Sequence, residues 1–456
     1  MPANGTRAEM VVASIQRRIA QGHVAQGDRL PSIRAAARAF GVSKNTVIEA
    51  YERLCARGLI AARPGSGHFV LRRPAALEAR DGARLAEATD AVSLLTEQLE
   101  RQFPCRVGEG RPPAAWMDRV IKPAHWRRVA GDDATQYDAP AGYLPLRRTL
   151  ARTLAERGMD VGPDDILLTL GGNHALDMII RQFVRPGDRV MVDSPGYYPL
   201  FAKLTLAGAQ ICAVPRHAAG PDLSVFEEAV QAGARMFFTQ SLGHNPTATS
   251  AERPVAEAIA ASARRARVTI IDSDIFGDLM PADAPRMGML AGGLVVGSFS
   301  KTLSANLRVG YIAGTGAPLA DLRALKMLTV VNSCGHSERI VQGVLDAGDY
   351  RRQLARLNRH IRDKLNLLDV LLARRGLRRW GPHGGGYYAW LALPPGADEE
   401  ILARDAAMAG VFLAPGHVFL ANRAYKSGGF LRLNLGYVEN RMFWDWLDCR
   451  FNFRCS

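Results

Sequence analysis

Cysteine is scarce and scattered. Cys55, Cys105, Cys212, Cys334, Cys449 and Cys455 occur without a C-x-x-C spacing anywhere in the 456 residues, which argues against a zinc ribbon or a disulfide scaffold and leaves mostly buried, reduced thiols as the expectation. No apolar run is long enough to span a bilayer. The opening "MPANGTRAEM" lacks the apolar segment of a signal peptide, so a cytoplasmic protein with no membrane partner is expected. Repeats and low-complexity tracts are also missing. The length exceeds one ordinary domain, and two or three domains are expected.

Acidic charge is short at the amino end. The chain carries a net charge of +14, and residues 1–75 alone hold twelve Arg or Lys against four Asp or Glu. A basic end of this kind suits a polyanionic partner. Within it, Val11, Ile15 and Ile19 repeat at helical spacing and Gly22 stands where that helix would stop. "LPSIRAAARAFG" places Pro31 in a first-turn position, turns Ile33, Ala36, Ala37 and Phe40 inward, and ends on Gly41. Ser43 caps a third helix, which buries Val47, Tyr51 and Leu54 and leaves Lys44, Asn45 and Thr46 at its free amino end. "LIAARPGSGHFVLR" then reads as two short strands around a Pro-Gly-Ser-Gly turn.

This order gives a winged helix-turn-helix whose second helix enters the major groove. Arg34, Ser43, Lys44, Asn45 and Thr46 would reach phosphates and base edges, and the wing tip, Gly65, Ser66, Gly67 and His68, the backbone or minor groove. A charge cluster alone fits a small appendage with a solvated basic face, but the ordered motif outweighs that reading. From Asp28 to the wing the stretch closely resembles the GntR-type DNA-binding domain, which implies a double-stranded DNA operator as partner. Residues 1–72 form this domain, and the Ala-rich, mixed-charge residues 73–104 read as a linker passing into one amphipathic helix.

Beyond residue 104, short apolar runs ("ILLTL", "RVMVD", "ICAVP", "RMFFTQ", "VTIID", "LVVGSF") alternate with helical segments. This α/β alternation implies a mostly parallel sheet flanked by helices, with a site at the carboxyl ends of its strands. "TLGGNHALDM" carries a strand through Gly171 and Gly172 into a helix, as an anion site would, although a routine turn fits as well. "GSFSKTLSANLRVG" sets Ser298, Ser300, Lys301 and Arg308 together; a lysine beside a phosphate site invites a Schiff base with a phosphorylated aldehyde. In "DSPGYYPL", Tyr197 can lie against an aromatic ring or simply fill core. In "SLGHNPTA", Asn245 can donate to a phenolate oxygen or simply open a turn. In "FLRLNLGYV", Leu431, Leu433 and Leu435 face one way; Arg432 and Asn434 face the other, and Arg432 either binds a carboxylate or sits on a solvent face.

Jointly these motifs resemble the pyridoxal 5'-phosphate-dependent aminotransferases of fold type I, class I/II, over residues 105–456, with a small carboxyl-terminal α+β subdomain. The resemblance implies Lys301 as the lysine of the internal aldimine and Gly171, Gly172, Asn173, Ser298, Ser300 and Arg308 as the phosphate cup. It implies Tyr197 as the stacking ring, Asn245 as partner of the phenolic oxygen and Arg432 as the carboxylate anchor. A GntR-type domain fused to this fold is the layout of the MocR subfamily of transcriptional regulators. That resemblance implies a head-to-tail, domain-swapped homodimer and a small amine or amino-acid effector exchanging at Lys301.

One motif departs from the pattern. Relatives read "E-D-D-x-Y" where this chain reads "DSDIF", so Ser273 replaces the aspartate on the pyridine nitrogen and Phe276 the tyrosine on the phenolic oxygen. A serine hydroxyl cannot hold the ring nitrogen protonated, and the electron sink needed for transamination weakens. Asp272 or Asp274 would fill the place only after a one-residue slip, and on a strand both leave the face opposite Ser273. A regulator with weak or no multiple turnover is therefore expected. A working aminotransferase with an appended DNA-binding domain, and a regulator responding to pyridoxal phosphate itself, are the alternatives.

Overall fold

The computed structural model describes residues 7–20, 24, 27–56, 59–63, 66–71, 103–117, 120–127, 129, 136–422 and 429–452. Gly22, Gly65, Cys455 and residues 73–102 of the linker expected over 73–104 lie outside these residues. The chain divides into two compact units, Met1–Ala83 and Arg84–Ser456.

In the first unit, helices α1 (Arg7–Ala20), α2 (Ile33–Phe40) and α3 (Lys44–Ala56) precede the strands β1 (Ile60–Arg63) and β2 (Gly67–Val70). Val11, Ile15, Ala36, Val47, Tyr51 and Leu54 form its core. Local chemistry sets the boundaries. Ser32, not Pro31, opens α2: its hydroxyl accepts from the Ala35 amide at 3.3 Å, which puts Pro31 before the cap rather than in the first turn. Gly41 ends α2 in the left-handed conformation (φ 64°), and Ser43 Oγ accepts from the Thr46 amide at 3.1 Å to open α3. The Tyr51 hydroxyl donates to Pro31 O at 2.8 Å and ties α3 to the turn before α2.

The second unit holds an eight-stranded sheet in the order β3-β10-β9-β8-β7-β4-β5-β6. These are β3 (Ile166–Thr169), β4 (Arg189–Ser194), β5 (Gln210–His217), β6 (Gly220–Pro221), β7 (Met236–Thr239), β8 (Thr269–Ser273), β9 (Leu294–Ser298) and β10 (Gly310–Ala313). β5, β4, β7, β8 and β9 run parallel, as the apolar runs predict. β10 is an addition: it inserts antiparallel between β3 and β9. Its four residues, Gly-Tyr-Ile-Ala, open on glycine and hold no run of large apolar residues comparable to those of β3 or β7.

A second sheet of three antiparallel strands, β11 (Tyr388–Ala392), β13 (Phe430–Asn434) and β12 (Ala414–Pro415), forms the small carboxyl-terminal layer. β13 ends at Asn434, and Leu435 begins a 3-10 turn instead of continuing the strand. Residues 431–434 are all buried, so both faces of β13 are covered and the solvent-face reading of Arg432 is wrong: it is 2% exposed. No described helix is long and apolar enough to cross a membrane.

Candidate cofactor site and nucleic-acid interface

A cavity of about 240 Å³ opens at the carboxyl ends of β4, β7, β8 and β9. Gly172, Asn173, Tyr197, Asn245, Ser273, Ser298, Ser300, Lys301, Arg308 and Arg432 all line it. The topology thus gathers segments that lie far apart in the chain.

At one end the helix Gly172–Phe183 starts on Gly171 (φ 85°), so its first amides and positive dipole end open onto the cavity. Ser298 closes β9, and its Oγ accepts from the Ser300 amide at 3.2 Å. Arg308, itself at φ 51°, crosses to Leu170 O at 2.8 Å and passes directly over Gly171. A Cβ on Gly171 would meet Arg308 NH2 at 2.7 Å, so only glycine leaves room for the guanidinium there. A helix start, serine hydroxyls and an arginine form a donor set that suits a phosphate dianion, and the residues present fit the cup.

At the other end stand a lysine and a buried arginine. Lys301 Nζ donates to Gly110 O at 2.6 Å. Arg432 NH1 donates to Asn245 Oδ1 at 3.0 Å and NH2 to Gly108 O at 2.9 Å, while its guanidinium lies 4.6 Å from the centre of the Tyr388 ring. Asn434 Nδ2 donates to Glu109 O at 2.8 Å and Arg111 O at 2.7 Å. Each carbonyl from 108 to 111 is therefore held by a side chain of the site or of β13. With its oxygen committed to Arg432, Asn245 has its amide nitrogen left for the cavity. Burial pushes the Tyr197 phenol up to about 12, so its ring is neutral.

The acids of "DSDIF" sit where strand alternation puts them. Ser273 pairs with Val296 on the face that carries the cavity, one row beyond Asp272. Asp272 accepts from the Ser241 amide (3.0 Å), Ser241 Oγ (2.6 Å) and the Gly288 amide (3.1 Å). Asp274 pairs with Arg286 at 3.0 Å and with Arg157 at 3.5 Å. Neither lines the cavity.

Asp193 is the one carboxylate of the lining among the described residues, and its Oδ2 already accepts from Thr239 (2.7 Å), Gln240 N (3.1 Å) and Arg216 (3.2 Å). Its Oδ1 is buried without a partner. By register Asp193 belongs to the row of Thr239 and Asp272, which leaves the sheet on the face opposite Ser273.

Phe276 needs correcting. It is fully buried, does not line the cavity, and packs edge-on against Tyr387 and Tyr388 in the core of the small layer. The turn after β8 carries it away from the ring, a change of direction that strand counting does not register. The sequence reading also missed Tyr388, Arg111 and His244, all on the lining. His244 is held neutral, well below its ordinary pKa, by burial and then by Arg216. Its place beside Asn245 was the only sequence signal for it; Tyr388 lies in "PHGGGYYAWLAL", which resembles the small domain of the family without pointing to a site, and Arg111 had no signal.

In the first unit Lys44 and Asn45 are exposed at the start of α3, and Thr46 is half-buried with its hydroxyl 2.8 Å from Ser43 Oγ. Arg34 is exposed on α2. Gly67 starts β2 at φ 99°, and Arg63, its cross-strand neighbour, stacks 4.6 Å over Phe69, adding an exposed cation to the wing that sequence reading passed over. The His68 ring lies edge-on to Tyr51 at 4.9 Å, turned toward the body of the unit rather than out from a tip.

Two family models cover most of this architecture. The model of aminotransferases of class I and II matches residues 105–442. The chain belongs to that family. The model of bacterial regulatory proteins of the gntR family matches residues 7–70 of this aminotransferase-family chain, which gives it the layout of the MocR-type transcriptional regulators.

Its relatives include the HTH-type transcriptional regulator TauR of Rhodobacter capsulatus, 29% identical over 91% of this chain and 90% of TauR. The probable rhizopine catabolism regulatory protein MocR of Rhizobium meliloti is 27% identical over 88% of this chain and 84% of its own. Among solved structures, the α-aminoadipate aminotransferase LysN of Thermus thermophilus, crystallised with N-(5'-phosphopyridoxyl)-L-leucine, superposes with a TM-score of 0.71. It is 25% identical over 81% of this chain and 98% of LysN. Families of this class depend in general on pyridoxal phosphate, and gntR-type regulators bind DNA.

Proposed function

We propose that this chain is a DNA-binding transcriptional regulator that holds pyridoxal 5'-phosphate at Lys301 and senses a small amine or amino acid there. The observation that carries the reading is Ser273 on the cavity face of β8 with neither neighbouring acid beside it: Asp272 and Asp274 do not line the cavity and are bonded elsewhere, and Asp193, the one carboxylate of the lining among the described residues, leaves the sheet in the opposite row. Bound pyridoxal phosphate supplies an aldehyde carbon that condenses with primary amines and a ring that withdraws electrons.

The chain's own residues divide the remaining work. Gly171, Gly172, Asn173, Ser298, Ser300 and Arg308 hold the phosphate, and Tyr197 covers the ring. Asn245 offers its amide nitrogen to the phenolic oxygen, and Arg432 anchors the effector carboxylate by a planar fork. Lys301 presents the amine that an effector amine displaces. Ser273 provides no charge to keep the ring nitrogen protonated, so an amine stays bound as a signal instead of being turned over.

The regulator acts as a head-to-tail homodimer on double-stranded operator DNA, read through Arg34, Ser43, Lys44, Asn45, Thr46 and the wing tip Gly65, Ser66 and Gly67. Effector binding shifts the dimer between arrangements of different operator affinity. The test is operator affinity of the full chain with the cofactor, with and without a panel of amino acids, alongside keto-acid release. An effector should change operator affinity severalfold with no sustained keto-acid production, and Lys301→Ala should abolish the response. Turnover at ordinary enzyme rates would point to a working aminotransferase. A response to pyridoxal phosphate alone would make the vitamer the ligand.

A further inference from the structure

The phenol missing at Phe276 has a counterpart elsewhere on the wall. Tyr388 opens β11, lines the cavity, and packs its ring edge-on against Phe276 at 5.7 Å. Its hydroxyl donates to Gly110 O at 2.8 Å, the same oxygen that receives Lys301 Nζ at 2.6 Å. One carbonyl thus brings the Tyr388 hydroxyl and the reactive amine to within a few ångströms of each other. The Arg432 guanidinium, 4.6 Å from the ring centre, fixes the ring from another side. Ring and hydroxyl are therefore both held, although the tyrosine lies 112 positions along the chain from the phenylalanine.

We propose that Tyr388 takes over the positioning role that Phe276 cannot fill: its hydroxyl is the donor to the cofactor's phenolic oxygen and so sets the proton affinity of the nitrogen at Lys301. This rests on the reading of Lys301 given above. A hydroxyl rotates without moving its ring, so the donor can leave Gly110 O for an anionic oxygen at its side, and a charged acceptor makes the stronger hydrogen bond. Donation to that oxygen withdraws the negative charge that would otherwise hold a proton on the adjacent nitrogen. The nitrogen accordingly gives up its proton at a lower pH than it would without the phenol.

Tyr388→Phe isolates the hydroxyl, because the ring and its packing on Phe276 and Arg432 are kept. Tyr387→Phe serves as the control: its neighbouring phenol is buried without a hydrogen-bond partner and does not line the cavity. The readout is the pH titration of the visible absorption band of the full chain loaded with pyridoxal phosphate, together with borohydride trapping and the mass added at Lys301.

In Tyr388→Phe the midpoint should rise by about one pH unit, the equivalent of a tenfold change in proton affinity, with trapping at Lys301 intact; Tyr387→Phe should titrate like the unaltered chain. An unmoved or lowered midpoint in Tyr388→Phe, or an equal shift in Tyr387→Phe, overturns the proposal and leaves the reading of Lys301 standing. Absence of any adduct at Lys301 in the unaltered chain overturns both.

Discussion

The two ends of the cavity are built on different terms. At the phosphate end the donors come from a helix start, a strand end and an arginine that crosses a glycine, and they open onto the cavity. Beside Ser273 the two flanking acids are consumed by the protein itself: Asp272 by Ser241 and Gly288, Asp274 by Arg286 and Arg157. On the proposed reading, holding an anionic ligand and activating it chemically are separable properties of this fold, the first kept and the second reduced.

Arg308→Ala is the largest test of that contrast. Removing a charge-assisted donor costs about 1.5–3 kcal/mol, so cofactor affinity should fall roughly tenfold to a hundredfold by equilibrium dialysis. Retention at full affinity would break the comparison. Ser273→Asp sharpens it from the other side. A carboxylate on the cavity face should raise single-turnover keto-acid formation by about tenfold, or ~1.4 kcal/mol of barrier, without altering cofactor affinity to the same degree.

A smaller effect lies beneath the phosphate end, where the buried Lys326 Nζ donates to Leu168 O and Ser333 Oγ, each at 2.8 Å. Burial depresses its pKa from 10.5 to about 8, an effect that Glu338 partly opposes. The folded value lies below the unfolded one, so the unfolded chain binds more protons between them and stability rises with pH across that window. Lys326→Met should flatten the stability profile of the full chain between about pH 8 and 10 in denaturant titrations.

The smallest effect belongs to the other unit. Ser43→Ala removes the cap on α3 and should cost about 1 kcal/mol of local stability, read as faster hydrogen exchange over residues 44–56, with the cavity titrating unchanged.

How much of this was legible follows from the distance over which each feature is specified. Gly171 with Gly172, and Ser298 through Arg308, lie within single short segments, so residue type and spacing were enough to place them. The alternation argument also placed Ser273 on the cavity face and Asp272 off it. The register carried over from the resemblance failed at Phe276, which lies past the end of β8 where the turn carries it into the core of the small layer. The roles of Tyr388 and Gly110 were invisible for another reason: their contact with each other and with Lys301 joins segments 278 and 191 residues apart, which no local pattern specifies. In the first unit the helices were legible from capping residues, with Pro31 two positions before the first helical residue, within the one-to-two-residue ambiguity of any helix start.

The stretch 108–111 turns recognition into a competition. On the proposed reading an amino acid takes Arg432 for its carboxylate and displaces Lys301 with its amine, and both side chains already donate to Gly108 and Gly110. Its affinity on that reading is a difference between old and new partners, and binding would release the main chain of residues 108–111 from those two donors. A ligand bearing only one of the two groups would loosen only one of the knots.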